Sequence, residues 1–231
     1  MAFYCFRFLI VISFLFPLVT VAQEGTSLLW EQSFDFNYKL DYRWSFNFGS
    51  GFRGGLSDDL SQESLDLQPK HFQVSHNSTY NVGFFGKLGV GIMHRWNTVE
   101  DLNNDNELRL TQQYSHARRF NALRLVHRLQ TDQRIVDKST THRFRYRFSI
   151  DFPLSGLRVD PREFYLVAST ESLLSSSKLI RPEWDQRITL RLGFQVFKGT
   201  RLQLDAEYRW ENFTANTVRR LFINTGWVQK I

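Results

Sequence analysis

Arginine stands at every second position of the segment HRFRYRFSIDF, as Arg143, Arg145 and Arg147, with Phe144, Tyr146 and Phe148 in the alternate places. A guanidinium stays charged throughout the physiological pH range and presents a rigid fork of donors that fits a carboxylate or a phosphate. Several of them on one face can therefore bind or guide anions. The same residue type recurs at Arg109, Arg124, Arg128, Arg187 and Arg191 in segments of similar pattern. These eight are the candidate anion-binding residues. A second group interrupts apolar positions elsewhere: His76, Ser78, His94, Gln112, His116 and His127. A histidine near a serine, as His76 is to Ser78, can act as base and nucleophile in acyl transfer. That chemistry needs a third group to orient the base, and none is evident in the sequence.

Other reactive patterns are weak. The stretch EDLNNDNE sets Asp101, Asn103 and Asp105 at the spacing of a calcium loop, but Asn106 stands where the turn glycine belongs and Gln112 where the closing glutamate belongs. A solvated loop is the better reading. There is no H-E-x-x-H, no phosphate-cradling glycine loop and no G-x-S-x-G. The six histidines lack zinc-ligand spacing. The expectation is a non-enzymatic protein with no catalytic residues, no metal and no cofactor.

The elements that must carry these side chains alternate with a period of two, and no helical period competes with them. Eleven runs of about ten residues emerge: 28–38, 42–53, 71–81, 87–97, 107–117, 123–131, 142–152, 164–173, 184–196, 201–211 and 218–231. In the ninth, Trp184, Ile188, Leu190, Leu192, Phe194 and Val196 oppose Asp185, Arg187, Thr189 and Arg191. Connections are expected to be short near 39–41, 82–86, 117–120 and 198–200. They are expected to be long and polar near 54–69, 98–106, 131–141 and 175–183. The link at 152–161 is long for a turn.

Ahead of these runs, Arg7, an apolar stretch from Phe8 to Phe16 and a small residue at Ala22 have the form of a secretory signal peptide cleaved before Gln23. The predicted organisation is a signal peptide over 1–22 and one domain over 23–231. The only cysteine, Cys5, falls within the signal. The mature chain would then have no thiol for a disulfide or a metal. The formal net charge of +6 comes from arginines scattered over many segments, which argues against a nucleic-acid surface.

Alternation does not say which face points inward. A soluble sandwich or small barrel would hide the aromatic face. Two features favour the opposite orientation: the strand length exceeds the five or six residues usual in soluble sheets, and Trp30, Trp44, Trp96, Trp184 and Trp210 fall on the apolar face near strand ends, where membrane-interface girdles sit. The predicted fold is all-β, an antiparallel up-and-down transmembrane β-barrel of about 10–12 strands. Eleven runs conflict with the even count of single-chain bacterial barrels, so either one run is a loop or a split pair, or the barrel closes unusually.

The pieces ELRLTQQYSHARRFNALRLVHRLQ, THRFRYRFSIDFPL and RITLRLGFQVFKGTRLQLDAEYRW resemble the domain of unknown function 2490 (DUF2490) family. The resemblance covers nearly all of the mature chain. It implies a signal-bearing outer-membrane β-barrel of Bacteroidota type, and it supplies no active residues.

With the apolar face outward, Arg95, Arg201 and Arg209 join the eight arginines in the lumen. Glu31, Asp35, Glu163, Glu171, Asp205 and Glu207 also face inward, which predicts a basic wall on strands four to seven opposite a more acidic one. The expected function is a passive channel for small anionic solutes in the bacterial outer membrane. If arginines and acids pair across the lumen and plug it, the barrel is instead non-conducting, with a structural, lipid-binding or lipid-processing role. The polar stripe from His76 to His127 would face lipid. That suggests a protomer contact in a homo-oligomer, a lipid-processing site, or a bulge returning these residues to the lumen. Outer-membrane lipid and small anions are the expected partners.

Overall fold

The computed structural model describes residues 25–57, 67–98, 105–137, 139–178 and 181–231. The segment read as a signal peptide, together with Asp101 and Asn103 of the calcium-like loop, lies outside the described residues.

Eleven strands follow one another in chain order: β1 Thr26–Lys39, β2 Trp44–Ser57, β3 Gln68–Val82, β4 Gly86–Asn97, β5 Glu107–Phe120, β6 Leu123–Val136, β7 Ser139–Pro153, β8 Glu163–Ser176, β9 Glu183–Phe197, β10 Thr200–Glu211 and β11 Val218–Lys230. Each pairs antiparallel with its neighbour, and the sheet closes on itself. Closure is made by β1 and β11, which run parallel from Thr26 opposite Arg219 to Asn37 opposite Lys230. An odd number of strands dictates this: ten reversals of direction leave the last strand pointing the same way as the first. All eleven runs are strands, so neither a split pair nor a spurious run is needed, and the barrel is mixed rather than wholly antiparallel.

The alternation in the sequence becomes an inside and an outside. Phe34, Phe48, Val90, Phe144, Ile188 and Leu204 stand exposed on the outer surface, while Glu107, Asp132 and Glu171 are buried inside it. This inverts the usual arrangement, in which carboxylates are the residues least often buried. Near one rim the outer surface carries Trp96, Trp184 and Trp210 close to strand ends; at the other, Trp44 packs edge-on against Tyr80 with ring centroids 4.9 Å apart.

The connections divide the rims. One rim holds the links at 40–43, 83–85, 121–122, 154–162 and 198–199, and is called the turn rim. At the other, called the loop rim, β2 ends and β3 begins, as do β4 and β5, β6 and β7, β8 and β9, and β10 and β11. The expected long connection at 131–141 is not one. Strands β6 and β7 run on to Val136 and from Ser139, joined by two residues with Asp137 at φ 47°. The alternation was hidden there because both faces are polar: Thr131 and Gln133 point out while Asp132 and Arg134 point in. At the turn rim, Gly199 has φ +96°, and a Cβ there would lie 2.4 Å from the carbonyl oxygen of Lys230, so only glycine fits this hairpin. Val159, Asp160 and Pro161 of the link at 154–162 border a cavity at this rim, and the ends of the link are held by Leu154 N–H donating to Phe164 O at 3.0 Å and Arg162 N–H to Gln195 O at 2.6 Å.

Candidate functional site

The lumen is built by register. Cross-strand pairing sets Arg128, Arg147, Glu171, Arg187 and Arg209 in one row across β6 to β10. Glu171, only 3% exposed, gathers its neighbours. Arg147 Nε donates to its Oε2 at 2.7 Å, and Arg145 donates to its Oε1 through Nη2 at 2.6 Å and Nε at 3.2 Å. Arg187 and Arg128 stand farther off, at 3.7 and 3.8 Å. Arg145 also reaches Asp132 at 3.3 Å, and Asp132 accepts from Thr111 and Gln130.

A second centre forms where β4, β5 and β6 approach the loop rim. Glu107 is 2% exposed and receives Arg109 at 2.6 Å, Arg134 at 2.5 Å and Arg95 at 3.3 Å. One carboxylate thus holds three guanidiniums, a geometry that offsets the cost of burying charge only because the donors nearly surround it. Smaller pairs complete the layer. Arg191 forks onto Asp205 with two bonds of 2.7 Å, Arg209 meets Glu207 at 2.5 Å, and Arg53 meets Glu31 at 2.5 Å. Phe222 is fully buried among them, with the Arg209 guanidinium 3.6 Å and the Arg53 guanidinium 4.9 Å from its ring centroid. This stack bridges β10, β11 and β2 across the parallel seam, and a cation held over a desolvated ring is worth about 2 kcal/mol.

All eight candidate arginines face inward, but they do not form one group. Arg109, Arg145, Arg147 and Arg191 are tied to carboxylates within 2.7 Å. Arg124 lies apart, near the turn rim, bonded to Asp151 at 3.0 Å. Arg128 and Arg187 are held loosely. Arg143 has no ion-pair partner among the described residues, and its Nε is buried without a hydrogen-bond acceptor. The expected contrast between a basic wall and an acidic one is not found: Glu107, Asp132 and Asp151 lie on β5, β6 and β7 among the arginines. The period-two pattern places these acids on the inner face, but pairing depends on height along the barrel, which alternation does not encode. Arg53, Arg134, Arg220 and Phe222 were missed for the same reason.

The opposite wall is made of small polar residues. Asn47, Gly49, Gly51, Ser75, Asn77, Gly89 and Gly91 face the lumen on β2, β3 and β4, and the side chains lie along the wall, Asn47 donating to Asp35 at 3.1 Å and to Asn37 at 3.2 Å. A Cβ at Gly91 would fall 2.0 Å from Asn77 Oδ1, so the glycine makes room for that amide. A cavity of about 870 Å³ remains between the walls, lined by Arg143, Arg147, Arg187, Arg209, Glu207 and Asn224 among others. A second cavity of about 1050 Å³ opens at the turn rim. Its cations are Lys39, Lys87, Arg124, Lys198, Arg201 and Lys230; its acids among the lining side chains are Asp41 and Asp160.

The polar stripe stays outside. Pairing of β3 with β2 and with β4 runs unshifted from His71 to the strand end, so no bulge returns His76 or Ser78 to the lumen. The six residues do not converge. His76 Nε2 lies 3.1 Å from Ser78 Oγ, but His76 Nδ1, where an orienting acid would sit, is buried and unpartnered. His94 packs edge-on to Trp96, His116 lies against Phe85, and His127 Nδ1 is 2.9 Å from Tyr146 Oη. Gln112 bonds Thr131 at 2.7 Å and Gln133 at 3.1 Å. Each of the six residues thus has a local contact, while His76 Nδ1 has none. Ser78 and Gln112 also line a shallow outer groove with Trp44, Tyr80, Leu129 and Phe144.

The family model described as a protein of unknown function (DUF2490) matches residues 29–220, from the first strand into the last. No curated protein matches the chain.

Proposed function

Taking as premise that the chain belongs to the DUF2490 family, we propose that it is a non-catalytic β-barrel of the bacterial outer membrane whose lumen passes small anionic solutes. The observation that carries this reading is the excess of cations over acids around the turn-rim cavity, where six basic side chains face two acidic ones. Lys39, Lys87, Lys198 and Lys230 have no ion-pair partner among the described residues, so their field acts on solutes rather than on a neighbouring acid. A mouth lined by one sign of charge between low-dielectric walls concentrates counter-ions and raises their rate of entry. The exposed apolar outer face, with aromatic residues near both rims, supports lipid as its surroundings.

A non-conducting barrel is the second reading. It is favoured by the two carboxylate centres, which tie arginines from β4 to β9 into a charged layer near the loop rim. Reversal potentials of the purified protein in planar bilayers under a potassium chloride gradient separate the two. Anion selectivity is expected. A silent bilayer, or cation selectivity, would remove the channel and leave the structural barrel.

A further inference from the structure

We propose that Arg143 and Arg187 form a binding site for a small oxyanion, a phosphate or a carboxylate, inside the cavity on the loop-rim side of the lumen. The site deepens the lumen reading above, but it does not require conduction. Three observations converge on it. First, the two guanidiniums line the same cavity, and each has a buried Nε with no acceptor. Second, Arg143 is crowded by its own kind: the charges acting most strongly on it are those of Arg134, Arg187, Arg109 and Arg145, all cationic. Third, Asp185 and Glu171, the carboxylates nearest Arg187, stop 3.8 and 3.7 Å short, beyond hydrogen-bond reach, while Glu171 is already bonded by Arg145 and Arg147.

Elsewhere in this lumen Glu107, Glu171, Asp205 and Glu207 each hold an arginine within 2.7 Å. At Arg143 and Arg187 the donors are present and the acceptor is missing. Leu173, fully buried on β8, separates the two strands that carry them. In register Leu173 stands beside Arg145 and Asp185, and the cavity that both guanidiniums line is the direction of approach. An anion arriving from there relieves the mutual repulsion of the arginines and, with a shift of the side chains that opens their buried Nε atoms, completes the donors. Its planar or tetrahedral oxygens match the forked donors, whereas a spherical halide meets only the charge.

The test is titration of the folded protein in detergent with inorganic phosphate at constant ionic strength, followed by calorimetry, with chloride as the comparison ion. Saturable phosphate binding is expected, weakened tenfold or more by Arg143→Gln and by Arg187→Gln. Arg143→Lys, which keeps the charge and loses the fork, should weaken it less than Arg143→Gln. Arg118→Gln, on the outer surface beside Phe85, should leave it unchanged. Arg143→Gln should fold with undiminished thermal stability, because it removes a like charge and breaks no pair. Absent phosphate binding, binding indifferent to both glutamine variants, or collapse of Arg143→Gln would each overturn the site. Conduction without phosphate binding defeats the site and spares the channel; phosphate binding in a silent barrel does the reverse.

Discussion

The two ends of the lumen are both basic, yet they use basic residues differently. Toward the loop rim the cations are mainly arginines, partly buried and mostly bonded to carboxylates, as in the cluster of Arg95, Arg109 and Arg134 on Glu107. At the turn rim lysines predominate, and Lys39, Lys87 and Lys230 have no carboxylate partner among the described residues. Side-chain chemistry accounts for the division. A planar guanidinium can share one carboxylate with two others in fixed geometry, which builds a lattice; a strongly hydrated ammonium on a flexible stem keeps its water and acts through its field. Net charge alone would have made the two regions look alike. One holds strands together, and the other lines the cavity at the turn rim.

That comparison breaks most sharply at Glu171. Replacing it by glutamine leaves Arg145 and Arg147 without their main acceptor while both remain largely withdrawn from solvent. Breaking such a buried cluster costs about 3–5 kcal/mol. Urea unfolding followed by tryptophan fluorescence should show this loss; an unaltered midpoint would mean that the lattice is not what stabilises this end.

Phe222→Ala tests the same region through packing rather than charge. The ring is fully buried between Arg53 and Arg209, and truncating a buried phenylalanine costs about 3–5 kcal/mol, with the lower end expected because water can enter from the adjoining cavity. A lowered temperature for loss of the folded band on a semi-native gel is the readout. A variant as heat-resistant as the parent would remove Phe222 from the account of the seam.

The turn rim should answer in the opposite way. Replacing Lys39, Lys87 and Lys230 together by glutamine breaks no ion pair among the described residues, so stability should change by less than about 0.5 kcal/mol per site. The ratio of chloride to potassium permeability should fall roughly threefold at low salt and hardly at all at 1 M, where the Debye length is about 3 Å. A stability loss comparable to that of Glu171→Gln would erase the distinction between the two ends.

Much of this barrel was readable from a period of two. In β9, Trp184 through Val196 against Asp185 through Arg191 states which side chains share a face, and the structure keeps that partition. Strand ends were less legible where both faces are polar, which is why β6 and β7 continue through Gln133 and Arg134 to a two-residue link. The candidate arginines share one face of their strands, but their division into bonded and unbonded members is invisible in the sequence. Glu107 shows why: it sits near Arg109 in sequence and beside Arg134 only because β5 and β6 pair in a particular register. The outer stripe was equally visible as a set of residues, and equally silent about Gln112 meeting Thr131 and Gln133.

The sequence by itself determined that the chain forms two-faced strands and which residues of each strand share a face, because alternation follows from the geometry of an extended backbone and needs no partner strand. Only the tertiary structure decided that β1 and β11 close in parallel, that Glu107 and Glu171 each draw several arginines together, and that Arg143 is left without an acid. Those outcomes depend on how far each strand slides past the next, and strand-to-strand registry is a property of the closed sheet that no single segment contains.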